Sequence, residues 1–170
     1  MLADAIYHID ASNQIHNTWY KNTAVGICDD KGVFFFSINI SSNLKLKIRD
    51  KLKEYPPKSV NCNLLAYLVF LIFRYKEEHF KSAQIKTTWL CPDVRPTMYY
   101  IKCLSKCFSR HGKHELFDHL SMKIKKPTEK SKAHGLTRKV FQHKKNPTIE
   151  FNSQNMNDFI EYFIKLSEKK

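Results

Sequence analysis

The chain has 170 residues, 42% hydrophobic and 26% charged, and 29 Lys and Arg against 16 Asp and Glu give it a net charge of +13. That length supports one domain with a real core, and the composition excludes a disordered chain. The positive excess favours polyanionic partners, nucleic acid before an anionic membrane surface, and says nothing about the fold.

Ala5–Ser12 reads as a short buried strand anchored by Ile6 and Ile9, closing on Asp10 and the small residues Ala11 and Ser12. After a polar loop, Thr23–Cys28 and Val33–Ile40 are β-rich runs, and the Asp29-Asp30-Lys31-Gly32 turn between them predicts an antiparallel hairpin. Asn43–Tyr55 fits two patterns, alternating at Leu44, Leu46 and Ile48 but helical at Leu44, Ile48, Leu52 and Tyr55. A short basic helix is the preferred reading, ended by Pro56-Pro57. Ser59–Tyr75 is apolar nearly all round, which predicts a helix buried against the sheet, with Lys76–Lys81 as its polar exit. Its apolar run, Leu64–Phe73, is too short to span a bilayer.

Gln84–Leu90 is the next strand, broken by Cys91-Pro92-Asp93. Thr97–Phe108 reads as a helix with Thr97 as N-cap and an apolar face of Met98, Ile101, Leu104, Cys107 and Phe108. Gly112 marks a stop, Leu116–Ile124 a further strand, and His134–Phe141 a short helix after a Lys-rich loop. A β-like piece at Thr148–Phe151 precedes an amphipathic helix, Asn155–Leu166, whose face of Met156, Phe159, Ile160, Phe163 and Ile164 either packs on the domain or docks a protein partner. The expected class is mixed α/β, with a domain over 1–146 and a strand and helix extension over 147–170 packed on it.

That element order, with Asp10 closing the first strand, resembles the ribonuclease H type 1 family. The hairpin Thr23–Ile40, the segment Asn63-Leu64-Leu65-Ala66 on the main helix, Cys91-Pro92-Asp93-Val94 after the fourth strand and Ala133-His134-Gly135-Leu136-Thr137-Arg138-Lys139 carry the resemblance. It implies an RNase H-like mixed five-stranded sheet with flanking helices, to which the C-terminal helix would be an addition. It also implies metal-assisted cleavage of RNA in an RNA–DNA hybrid. Asp10 and Asp93 then stand at catalytic and metal-ligand positions, and Asn63 and His134 occupy the other two ligand positions, where the family has carboxylates. Mg²⁺ is a hard cation that prefers charged oxygen ligands, and two ions about 4 Å apart need bridging carboxylates. Asn63 brings only a neutral carbonyl, and His134 suits Mn²⁺ or Zn²⁺ better than Mg²⁺. The implied cofactor is Mg²⁺ or Mn²⁺ if the chain cleaves; a pseudo-nuclease that docks a protein partner through Asn155–Leu166 is the alternative. Asp118, near the last core strand, is a possible substitute carboxylate.

The most basic stretch, Lys123–Lys145, offers Lys123, Lys125, Lys126, Lys130, Lys132, Arg138 and Lys139 to a phosphate backbone, a contact that gives affinity without sequence reading. Trp19 and Tyr20, in a polar loop, are candidates for stacking on bases. Cys103, Cys107, His111 and His114 look like a zinc set, but the first three run about 12 Å along one helix face and cannot converge on one ion. Scattered glycines argue against a phosphate-binding loop. The five cysteines, with no CxxC pair, suit reduced thiols in an intracellular, by default cytoplasmic, protein. The N-terminal Met1-Leu2-Ala3-Asp4 shows no signal-peptide pattern.

Overall fold

The computed structural model describes residues 4–12, 19–91, 97–124 and 132–168. Strands β1 (Ala5–Ser12), β2 (Thr23–Asp29) and β3 (Phe35–Ile40) form an antiparallel meander. Then come α1 (Ser42–Lys51), α2 (Pro57–Tyr75), α3 (Glu77–Ser82), β4 (Ile85–Leu90), α4 (Thr97–Arg110) and α5 (His114–His119). Strand β5 (Met122–Ile124), helix α6 (Lys132–Phe141), strand β6 (Ile149–Glu150) and helix α7 (Ser153–Ser167) complete the chain. The sheet is mixed and has six strands in the order β5-β4-β1-β2-β3-β6, with β4 parallel to β1, β5 parallel to β4 and β6 parallel to β3.

The hairpin forms where the turn residues place it. Gly32 takes the left-handed φ of 73° that a side chain disfavours, and Asp29 Oδ1 accepts the Val33 and Phe34 amides at 2.8 and 3.1 Å. Those bonds hold Val33 and Phe34 in the turn, so β3 begins at Phe35. Helix α2 is the core's axis: Val60 to Phe73 are all buried, with β2 and β3 on one side and α4 and α7 on others. Pro57 opens it at a position where a missing amide hydrogen costs nothing. Helix α7 starts in a reciprocal Asn152–Asn155 capping box and buries Met156, Phe159 and Phe163. Its Phe159 ring lies 5.4 Å from that of Tyr67 on α2, and its Phe163 ring meets the Tyr55 ring edge-on at 5.1 Å. The face read as either packing or partner-docking is therefore packed on its own domain.

Four expectations need correction. The sheet has six strands rather than five, because Ile149 and Glu150 pair with Ile38 and Asn39 at its edge. Leu116–Ile124 is not one strand: Leu116 and Leu120 are both buried at helical spacing, so α5 takes the first part, and Ser121 at φ 49° turns the chain into a short β5. The exit Lys76–Lys81 is helical from Glu77 onward, in α3, which buries Phe80 beneath Tyr7 and Phe73. On α4 the buried face is Tyr100, Cys103, Leu104, Cys107 and Phe108, while Met98 is 67% exposed. Of Asn43–Tyr55, the part up to Lys51 is helix α1, with Ser41 accepting the Leu44 amide as N-cap and Leu52 as C-cap. Among the described residues no helix is long and apolar enough to cross a membrane.

Candidate functional site

Strand β1 sorts its residues by face. Tyr7 and Ile9 belong to the hydrophobic core, so alternation turns His8 and Asp10 to the opposite face. Helix α6 packs there, across β1, β2 and β3. In register, Asp10 sits beside Gly26 on β2, and Gly26 beside Ser37 on β3. A Cβ on Gly26 would fall 2.4 Å from Thr137 Oγ1 and 3.0 Å from the Phe35 ring, so the close seat of α6 depends on glycine there. One helical turn before Thr137, His134 brings Nδ1 within 3.1 Å of Asp10 Oδ2. The Asp10 side chain is 7% exposed and that of His134 41%. A carboxylate can only accept, so Nδ1–H is the donor and further ring chemistry belongs to Nε2.

The structure brings these two predicted residues together, and the other described candidates stand on other elements. Asn63 is buried on α2, where its Nδ2 donates to Ser59 O at 2.8 Å and its Oδ1 is buried without a partner. Among the described residues no hydrogen bond joins it to Asp10. Asp93 lies outside the described residues, as do Lys125, Lys126 and Lys130. Parallel pairing of Ile9 with Leu90 nevertheless sets the exit of β4 beside Asp10. Asp118 is on α5, where it pairs with His114 at 3.2 Å. Of the basic residues, Lys123 is exposed on edge strand β5, and Arg138 and Lys139 are exposed on α6. Lys132 donates from Nζ to Lys31 O at 3.0 Å, tying the start of α6 to the hairpin turn. His111 Nδ1 donates to Cys107 O at 2.7 Å, a bond inside the end of α4. Among the described residues no group of three His, Cys, Asp or Glu is placed to hold a metal ion, zinc included.

Two polar features escaped the reading of the sequence. His8, on the same face as Asp10, has Nε2 3.1 Å from Asp30 Oδ1 in the hairpin turn. The alternation Tyr7-His8-Ile9-Asp10 was the available signal, since it gives one strand face two polar groups. Lys45 is fully buried on α1, donates from Nζ to Thr23 Oγ1 at 2.8 Å, and is drawn down to a pKa of about 8 by desolvation. Its place in the run Leu44-Lys45-Leu46-Lys47 gives no hint of this.

Among the described residues, the His134 imidazole is the group in contact with the Asp10 carboxylate. One carboxylate with one imidazole does not fit a centre for two Mg²⁺ ions, which needs several charged oxygens. Comparisons of the chain with protein-family models, with curated proteins and with solved structures give no match.

Proposed function

We propose that the chain is a nucleic-acid-binding domain of RNase H-like layout, in which the Asp10–His134 pair seats a basic helix against the sheet. The observation that carries this reading is the 3.1 Å contact itself. It joins a nearly buried carboxylate at the end of the central strand to the first turn of α6, and Arg138 and Lys139 are exposed on that same helix. Further support comes from the sheet, with the hairpin strands antiparallel on one side of β1 and β4 and β5 parallel on the other. In this reading α6 supplies cations to a phosphate backbone, and affinity comes from counterion release, without base reading. An RNA–DNA hybrid is the duplex the resemblance implies.

A metal-dependent ribonuclease is the second reading. It is favoured by the position of the β4 exit beside Asp10, the segment in which Asp93 follows. An ion bound by Asp10 and His134 would be Mn²⁺ rather than Mg²⁺, given the imidazole. One experiment separates the two: a labelled RNA–DNA hybrid is incubated with the whole protein and with Asp10→Asn, in Mg²⁺ and then in Mn²⁺. The first reading expects salt-sensitive binding and an intact hybrid. Cutting by the wild type that Asp10→Asn abolishes would replace it with the second.

A further inference from the structure

A cleft between the end of α1 and the start of α2 is built from other elements than those around Asp10. It encloses about 350 Å³, within the range of small-ligand sites. Leu52 and Val60, both buried, line it together with Tyr55, whose ring is braced edge-on by Phe163. Trp19 forms a further wall, and the exposed Arg49 and Lys53 stand against the single lining acid, Asp50.

The cation is held in an unusual way. The Arg49 guanidinium lies 5.8 Å from the Trp19 ring centroid and 5.6 Å from that of Tyr20. Ring faces attract a guanidinium without neutralising it, so its charge stays available to an anion. Trp19 is half-buried and packs against the core, whereas Tyr20 is 76% exposed, a large aromatic surface left in water. The cleft thus combines aromatic faces, an apolar floor and two cations. A ligand that uses all three has a flat π-system joined to an anionic group, which describes one unit of a nucleic acid strand. The base must be unpaired, because a duplex hides its faces. A basic peptide would be repelled by Arg49 and Lys53, and an acidic one would leave the exposed ring unused.

We propose that this cleft is a base-stacking site for single-stranded nucleic acid, in which a base stacks on Trp19 and Arg49 and Lys53 hold the adjoining phosphate. The site goes beyond duplex binding by α6 and stands without it, since none of its residues lies on that helix.

The test uses the full chain and a fluorescein-labelled deoxythymidine decamer, read by anisotropy. Trp19→Ala and Arg49→Ala should each weaken binding by about tenfold, the scale of one lost base stack or its cation, and Trp19→Phe should keep most of the affinity. The Trp19→Ala factor should be the same in an Arg138→Glu/Lys139→Glu background, as for independent sites. A second measurement leaves the cleft intact: the chain has two tryptophans, so Trp89→Phe makes Trp19 the only one. The decamer should then quench its fluorescence, and an abasic deoxyribose-phosphate decamer should not. Wild-type affinity in Trp19→Ala, or equal quenching by the abasic strand, would overturn the proposal.

Discussion

Gly26 shows how one absent methyl group sets the position of a helix. Adding it would push a carbon to 2.4 Å from Thr137 Oγ1, whose residue is fully buried. Gly26→Ala should therefore destabilise the fold by about 1–3 kcal/mol, the usual cost of overpacking. Urea unfolding would measure it, and Gly26→Ala/Thr137→Ala should recover part of the loss. A Gly26→Ala protein as stable as the wild type would mean that α6 sits farther from the sheet. Lys45 carries a different signature. Its folded pKa of about 8 is below the ordinary 10.5, so the folded chain releases this proton first as pH rises. Between those values the unfolded state holds more protons, and stability contributed by this group rises with pH. The wild type should gain on Lys45→Met between pH 8 and 10.5 in parallel urea titrations; a pH-independent difference would contradict the buried ammonium. The thiols give a third expectation. Burial pushes Cys103 and Cys107 up to about 12 and raises Cys28 and Cys62, while Cys91 is half-exposed. Because the thiolate is the reactive form, a disulfide-exchange reagent should label Cys91 alone in the native protein. A second fast-reacting thiol before urea is added would show that one of the other four is accessible.

Among elements, α7 is the most informative. Its amphipathic period was plain in the sequence, but periodicity cannot say what covers an apolar face. The structure answers with Tyr67 and Tyr55, and the fully buried Phe159 makes α7 part of the core. Phe159→Ala should cost about 3–5 kcal/mol, seen as a lower urea midpoint; a cost near zero would make α7 a detachable appendage. The elements that periodicity revealed are those with long or alternating signals: β1, the β2–β3 hairpin, α2 and α7. Shorter pieces were ambiguous for a physical reason. Leu116 and Leu120 fit α5, yet the same run also contains the β-like Met122–Ile124, and only tertiary packing divides them. Strand β6 is two residues long and exists because β3 offers it an edge. The site was legible in the same uneven way. Asp10 stood out at the end of a strand, whereas its contact with His134, 124 residues later, depends on the room left by Gly26.

On the scale of the molecule, a +13 chain is drawn to any polyanion, so affinity alone proves little. The distinguishing property is where on the surface the charge acts. The proposed duplex contact lies on the α6 face, with the helix held down by Asp10 and by the Lys132–Lys31 bond. The proposed single-stranded site at Trp19 and Arg49 is a separate surface, built on other elements. The most direct measurement is the slope of log affinity against log salt for an RNA–DNA hybrid, compared between the wild type and Arg138→Glu/Lys139→Glu. Each lost phosphate contact removes roughly one unit from that slope, so the double variant should bind more weakly and with a slope shallower by about two. Equal slopes for the two proteins would contradict the account, because the duplex would then be bound somewhere other than α6.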